Sequence, residues 1–463
     1  MRIAVIGGGI TGLTTAWYLK KKGFDVTIFE KMDRPGGVIH TITQNGFTFE
    51  NGPNSGVLAN PEVVELAEEM QDNCALEIAD ENAKFRWVWK KDRWHTLPSG
   101  IIGGISTPLF TFSDKLRLLG EPFRKSGSNP NESVASMVRR RMGNSFLRYA
   151  IDPFVIGIYS GDPELLVTRF AFPKLYNLEQ KYGSFIGGSI KKAKETKTER
   201  DKKATRQIFS IYGGLSNLID ALVSKIGKES IVLNAQNIKV RKSETGFGLR
   251  HDGSENIHFD RVISTVGGPA ISDIFDFLPV DILQSINKLQ YARIVQVSSG
   301  FKEWEGIDLK AFGGLIPFHE NRQVLGPLFI SSFFKDRAPK SSTLISTFLG
   351  GIRKPEIFDL SDAQIIDIVS SEFKTLFRLK KWSPDLLVIN RYKHAIPQYG
   401  IESEEKLEAI KEAEKLFPGL ILAGNIRDGI GIADRVKQGR TIADGVKCCY
   451  VQNDISLSCE NGQ

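Results

Sequence analysis

Cysteine is scarce in this chain, with four among 463 residues. Cys74, Cys448, Cys449 and Cys459 are scattered, with neither the paired spacing of metal ligands nor the density of a disulfide framework. No metal is expected, and a reducing compartment is the natural setting. Long apolar runs are also missing, since no stretch reaches the length of a spanning helix. Met1 abuts the first strand, so the expectation is a chain without signal or transit peptide, located in the cytoplasm. Nor is charge one-sided. The formal net charge is only +7, too mild to imply nucleic acid but suited to an anionic small molecule or an acidic membrane surface. A chain this long exceeds one compact core and predicts two or three domains.

What is present begins at the N-terminus. Arg2-Ile3-Ala4-Val5-Ile6 is a short apolar run, followed by Gly7-Gly8-Gly9-Ile10-Thr11-Gly12 and then Leu13 to Leu19. This reads as strand, tight turn, helix. Gly7, Gly9 and Gly12 hold the G-x-G-x-x-G positions: the first takes the turn, the second admits a pyrophosphate, the third lets helix and strand pack closely. The helix start, with Ile10 and Thr11, offers free N–H groups and a partial positive charge. A second strand, Asp25 to Phe29, ends in Glu30, the acid that accepts hydrogen bonds from a ribose hydroxyl. Together these features predict a dinucleotide site. Directly afterwards come Lys31, Arg34 and the pair Gly36-Gly37 with Val38, Ile39 and His40. A glycine pair so soon after the ribose acid fits a backbone passing close under a flavin, with Arg34 free to reach the pyrophosphate. Gly46 to Ser55, with Gly52-Pro53-Asn54 near its end, then reads as a strand ending in a rigid Gly-Pro turn.

The run from Ile6 to Ser55 resembles the FAD-binding head of the flavin amine oxidase superfamily. Within it, Gly36-Gly37-Val38-Ile39-His40-Thr41 followed by Gly46 to Ser55 is most similar to the oxygen-dependent porphyrinogen oxidases of haem biosynthesis (protoporphyrinogen or coproporphyrinogen III oxidases). The resemblance implies an α/β fold. A Rossmann-like FAD-binding domain would be assembled from discontinuous segments, with an α+β substrate domain and a helical lid subdomain. The expected division is 1–80, 207–270 and 395–463 for the FAD domain; 81–112 for a substrate-domain hairpin; 113–206 for the lid; and 271–394 for the substrate domain.

Later stretches fit this plan. Pro61 to Met70 has an apolar helical face in Val63, Val64, Leu66, Ala67 and Met70. Residues 84–98 read as a hairpin around a charged turn that should join a separate sheet. Residues 100–112 are glycine-rich and apolar, suiting a pocket wall or a membrane-facing surface. From 113 to about 203 the pattern is helical, with breaks at several prolines. Within it, residues 191–206 form a dense run of mixed charge, read as a solvated helix or loop with phospholipid contact as the alternative. The run lacks interleaved aromatics, which argues against nucleic acid. Residues 208–222 hold a Gly-Gly turn entering a helix; 231–234 and 238–240 read as a strand pair, and 259–265 as a returning strand. Strand-like runs at 294–297, 314–316, 328–332 and 343–349 follow, with one helix at 361–376.

By resemblance, the backbone near Asn237 holds the adenine, and Ala395-Ile396-Pro397-Gln398-Tyr399 lies at the floor of the substrate site. The family follows that block with Gly-His, but here Gly400 precedes Ile401, so no histidine role carries over. A strand ending at Gly424-Asn425, then Gly429 to Asp434, opens a helix whose N-terminus faces the flavin pyrimidine ring. The amides of Ile432 and Ala433, following the cofactor-binding Gly431, would there stabilise negative charge on the reduced flavin. No catalytic side chain is assigned, because hydride passes to flavin N5 with help from the pyrrole nitrogens. Three such transfers give the porphyrin, and dioxygen reoxidises FAD to yield hydrogen peroxide each time. His40 is a candidate substrate contact; Arg86, Arg93, Arg293 and His394 are further partners for propionates, and spacing selects none of them. Ile101-Ile102 stand where some relatives have a propionate-binding arginine. An amine oxidase or carotenoid-type desaturase on the same scaffold is the alternative activity. Peripheral membrane contact and a homodimer stay open.

Overall fold

The computed structural model describes residues 1–71, 74–98 and 106–447. Much of the apolar run at 100–112, with Ile101 and Ile102, therefore lies outside the described residues, as do Cys448, Cys449 and Cys459. Cys74 is a free, buried thiol.

Five strands form a parallel sheet in the order Ile231–Val232, Asp25–Phe29, Arg2–Ile6, Arg261–Ser264, Leu420–Leu422. Every neighbour pair is parallel, so both faces must be covered, and Ile3 to Ile6 are at most 1 % exposed. On one face lie the opening helix Ile10–Lys21, Ser216–Ile226 and the closing helix Ile432–Gly445. The other face is covered by Val280–Asn287, Ser403–Leu416 and a three-stranded antiparallel sheet. Segments far apart in sequence thus share one core. Ile271, Phe275, Ile282 and Ile286 belong to it as well, so the expected division at 270/271 falls inside this cluster. The division at 394/395 falls inside the strand Leu386–Pro397.

The pairing expected between 231–234 and 238–240 does not form. Ile231–Val232 joins the parallel sheet beside Asp25–Phe29, while Lys239–Lys242 pairs with Phe247–Arg250. Asn234 and Asn237 between them have φ of 56° and 51°; these left-handed residues break extended backbone and carry the chain from one sheet to the other.

The second sheet has seven strands, running Leu386–Pro397, Tyr291–Phe301, Thr343–Gly350, Val324–Leu328, Gly313–Leu315, Arg86–Lys90, Arg93–Thr96. The expected hairpin is its edge, turning through Lys91 and Asp92 at φ of 51° and 57°, the two-residue turn that matches strand twist. The strand expected at 328–332 lies earlier, at Val324–Leu328, and Ile330–Ser332 is a 3₁₀ turn. A register shift between Val324 and Gly326 accommodates Pro327, which has no N–H to give to a regular ladder. The helix Asp362–Leu376, capped by Ser361, seals one face with Ile365, Val369, Phe373 and Leu376 against Val295, Val297 and Phe301.

Between the hairpin and Ile208–Ile211 the chain is helical, including Phe112–Leu119, Val134–Arg141, Asp152–Tyr159, Pro173–Tyr182 and Phe185–Ala193. The charge run that follows is not simply solvated. Arg200 pairs with Glu65 at 2.7 Å and Glu62 at 3.1 Å, and Lys203 with Glu68 at 2.5 Å. It therefore straps this segment to the acidic face of the helix Pro61–Met70, because that helix supplies carboxylates at i, i+3 spacing.

Inside the helical segment, Arg141 is fully buried and bonds Glu121 at 2.6 Å and Glu179 at 2.6 Å. Burial alone would raise the Glu121 carboxyl. The Ser184 hydroxyl, the Phe185 and Ile186 amides and Arg141 outweigh burial and hold it below its usual range. This contribution is therefore present at neutral pH and is lost as pH falls through that lowered value. Replacing Arg141 by Met leaves the buried Glu121 without its cation, while Glu179 keeps Arg140 at 2.8 Å, with an expected cost of ~3–5 kcal/mol. The check is the denaturant midpoint together with proteolysis inside residues 112–193; unchanged values would refute it.

Candidate functional site

The site is built from backbone. Gly7, at φ +101°, turns the chain out of the first strand, and its amide donates to Phe29 O at 2.8 Å. A Cβ on Gly12 would stand 2.0 Å from Gly7 O, so only glycine allows the opening helix to start this close. A Cβ on Gly9 would meet nothing within 4 Å: the space above the helix start is open. Gly9 caps the helix with no side chain, and the first intrahelical bond is Leu13 N to Gly9 O at 2.9 Å. The amides of Ile10, Thr11 and Gly12 precede that bond and face outward along the helix axis.

Glu30 lies buried beneath the turn, accepting from Gly8 N at 2.6 Å and Met32 N at 2.9 Å. The second glycine pair packs on the first. Gly36 N donates to Gly8 O at 2.8 Å, and a Cβ on Gly37 would be 3.3 Å from Gly9 Cα. Arg34 is not free to reach a phosphate. Its guanidinium donates to Pro35 O at 3.2 Å, Ile39 O at 3.1 Å and Gly37 O at 3.0 Å. The loop turns several carbonyls inward, and a planar five-donor group satisfies them, so Arg34 is the staple of the loop. Val38 is 60 % exposed, and Lys31 is exposed. Gly52 approaches Val38 so closely that a Cβ would stand 2.0 Å from Val38 O. Asn51 N donates to His40 O at 2.7 Å, and Pro53 and the buried Asn54 follow in the same turn.

The third piece arrives from the C-terminal region. Gly424, at φ +89°, passes against Thr265 O. Asn425 Oδ1 accepts from the Tyr291 hydroxyl at 3.3 Å. Gly431 caps the closing helix, with Asp434 accepting from Gly431 N at 3.2 Å, and Ile432 and Ala433 occupy its first turn. A Cβ on Gly439 would be 2.9 Å from Thr11 O, so the opening and closing helices touch. The structure therefore brings together the glycine turns, Glu30, Val38, Gly52 and the Gly424–Ala433 stretch. Asn237 is not drawn in by its side chain, which bonds Asp252 at 3.0 Å; Ala235 N, donating to Glu30 O at 2.9 Å, connects that segment to the site.

Several residues that hold the site were missed in sequence. Gln296, fully buried on the strand Tyr291–Phe301, accepts from Gly52 N at 3.1 Å and donates to Glu50 O at 2.9 Å. A lone amide inside the apolar run from Ile294 to Val297 was the available signal. Asn60 holds Ala433 O at 2.9 Å. Arg435 and Gln438 hold the loop before the closing helix through Gly424 and Arg427. Among the carboxylate partners considered, Arg293 is taken by Asp359 at 2.5 Å, and Arg86 lies over the Phe312 ring. His394 stands beside Tyr291, ring to ring at 5.5 Å. Burial and the Arg34 charge hold His40 below its ordinary pKa; burial and the charges of Lys393 and Lys31 do the same for His394.

An outward-facing helix start, open space over Gly9, an acid below the turn and a second glycine loop against the first fit a dinucleotide. They define a nucleotide-binding oxidoreductase fold of the flavoprotein type. Residues 10–447 match the model of the flavin-containing amine oxidoreductases, and the chain belongs to that family, whose cofactor is a flavin. It is similar to the mitochondrial protoporphyrinogen oxidase of Nicotiana tabacum, 31 % identical over 93 % of this chain and 92 % of that protein. It is 26 % identical to the coproporphyrinogen III oxidase of Bacillus subtilis (strain 168), over 93 % of this chain and 95 % of that one. Its fold matches a crystal structure from Exiguobacterium sp. 255-15, provisionally described as a protoporphyrinogen oxidase, with TM-score 0.81 and 22 % identity across 96 % of this chain and 98 % of that one.

Two alanine substitutions separate cradle from scaffold. Gly9→Ala places its methyl in open space, so the apoprotein should melt as wild type while flavin affinity falls about tenfold, ~1.4 kcal/mol. Gly12→Ala drives its methyl into Gly7 O and should lower the melting temperature of the apoprotein itself. Thermal unfolding and flavin titration of both variants check this.

Proposed function

We propose that the protein is an FAD-dependent porphyrinogen oxidase of haem biosynthesis. It would convert protoporphyrinogen IX or coproporphyrinogen III to the porphyrin by removing six hydrogens in three rounds. Three dioxygen molecules would leave as three of hydrogen peroxide. The observation that carries this reading is the meeting of three distant backbone pieces, Gly7–Gly12, Gly36–Asn54 and Gly424–Ala433, with the space at Gly9 left open. The names of the two curated relatives supply the substrate class.

In this reading the amides of Ile10, Thr11 and Gly12 hold the pyrophosphate, Glu30 orients the ribose, and the backbone near Asn237 faces the adenine. Gly36, Gly37, Val38, Gly52, Pro53 and Asn54 line the ring system, while Lys31 and Arg34 keep the loop positive and in shape. Gly424, Asn425 and Gly431 shape the backbone that sets the first-turn amides of Ile432 and Ala433, with the helix dipole, at the pyrimidine end. Bound FAD supplies the two-electron acceptance from a C–H bond and the reoxidation by dioxygen. The chain then has to orient the macrocycle and exclude water; no strong side-chain base is required. His40 and His394, both on the cofactor side, are the partners assigned to propionates.

Purified protein reconstituted with FAD should bleach anaerobically on adding either porphyrinogen, and in air should release porphyrin fluorescence and peroxide. Bleaching by a primary amine alone would transfer the assignment to the amine oxidases. His40→Ala is expected to keep its flavin and lose about tenfold in kcat/KM, the size of one hydrogen bond to a charged group; unchanged kinetics would remove His40 from the site.

No helix among the described residues is long and apolar enough to cross a membrane. The helix Phe112–Leu119 nonetheless leaves Phe112, Leu116 and Leu119 exposed at 75, 53 and 71 %, and Phe123 just beyond at 90 %. These residues repeat at helical spacing, with Arg124 and Lys125 following directly in the chain, and are assigned to peripheral contact with anionic lipid from the cytoplasmic side. Phe123→Glu combined with Leu119→Glu should abolish co-sedimentation with phosphatidylglycerol vesicles and leave turnover of a soluble porphyrinogen intact. Sedimentation that persists would refute this face.

A further inference from the structure

Lys406 lies on the helix Ser403–Leu416 and is 1 % exposed, yet its Nζ has no hydrogen-bond partner among the described residues. Ser403 Oγ, one turn earlier and equally buried, is also unpaired. A buried ammonium ordinarily finds a carboxylate or carbonyl, because an isolated charge in a dry interior is costly. Here Nζ stands 4.7 Å from the centre of the Tyr399 ring. Glu402 is the acid whose charge favours its protonated form, and one Glu402 oxygen already accepts from Gly400 N at 3.2 Å.

Tyr399 gives this contact its meaning. Its hydroxyl is shared between Asn425 O at 3.0 Å and Gly429 O at 3.1 Å. It closes the loop that runs from the last strand of the parallel sheet to Gly431, where the closing helix begins. Arg435 and Asp434 of that helix, Asp428 of the loop, and Tyr159 and Tyr291 from two other elements also face the ring. The Tyr399 and Tyr159 phenols are pushed up by burial and stay neutral in ordinary buffers. Burial pushes the Lys406 amine down to about 8. An ammonium is attracted to the face of a tyrosine ring, whereas a neutral amine is not.

We propose that Lys406 is a positioning residue for the cofactor-facing loop: its ammonium holds the Tyr399 ring, and the ring fixes residues 425 and 429 in the shape that presents the start of the closing helix. Its bearing on the cofactor rests on the flavin reading above; its bearing on the loop does not.

The test follows amide hydrogen exchange of residues 425–431, corrected for intrinsic rates, and FAD affinity, between about pH 6.5 and 9.5. In the wild type, loop protection and FAD affinity should both fall as pH rises through about 8. Thermal stability should rise over the same window, because the unfolded chain, with the amine at 10.5, binds the extra proton there. Lys406→Arg should keep protection and affinity flat across the range. Lys406→Met should show the high-pH exchange at every pH, about tenfold weaker FAD binding at neutral pH, and a melting temperature no lower than wild type. A merely structural lysine would instead move stability and loop protection together. Wild-type loop protection that ignores pH, or a pH dependence that persists in Lys406→Arg, would overturn the assignment. A chain that takes up no FAD at any pH sinks the cofactor reading, and the exchange rates still decide the role of Lys406.

Discussion

The molecule depends on backbone approaching backbone at distances that no side chain permits. Gly12 against Gly7 O and Gly52 against Val38 O are two such approaches, each leaving a Cβ only 2.0 Å of room, and Gly37 packs tightly on Gly9 Cα between them. A Cβ at Gly12 or Gly52 would have to move a peptide group, which packed strands and helices resist. Because these contacts are made by main chain, the space beside them is bounded by amides and carbonyls. A helix start is left facing outward, with its N–H groups uncommitted within the helix.

The second sheet is fastened to this centre through a few buried polar groups. Gln296 grips the Glu50–Gly52 turn from the middle of an otherwise apolar strand. Arg337, 2 % exposed, joins Glu77 at 3.0 Å and lies 3.6 Å from Glu50. Burial is the largest influence on Glu50 and raises its pKa despite the Leu215 amide, Thr41 and Arg337. Such groups are costly to bury unless each finds its partner, so they fix one relative placement of the two sheets. The second sheet is thereby set in register with the glycine turns.

The helical segment is attached differently. Its interior is organised by Arg141 and its two glutamates, and its tail is tied by Arg200 and Lys203 to the acidic face of the helix Pro61–Met70. The inner network is insulated from solvent, whereas the outer strap is half-exposed and screened by salt. This segment can therefore shift at its tail without losing its own core. Tyr399 sits at the seam, packing against Tyr159 from the helical segment while bonding the loop before the closing helix.

The local arrangement was legible in the sequence wherever one short stretch contained its own reason. The opening strand, turn and helix, the hairpin around Lys91-Asp92 and the helix Pro61–Met70 each follow from periodicity and glycine placement. The order in which distant segments enter one core was legible only through resemblance to a family, because the strands at 231, 261 and 420 carry nothing that names their neighbours. Arg34 shows the limit most plainly: a cation beside a glycine loop reads as a phosphate ligand until the inward carbonyls that claim it are seen. Asn60 and Lys406 were silent for the same reason, since a polar residue is given its role by whatever packs against it. Sequence by itself determined the glycine turns, the helix starts and the acid beneath them, because these depend on φ, on a missing Cβ and on chain continuity. Tertiary structure alone decided which charges are spent inside the protein and which remain for a ligand, because pairing is a property of distance in space.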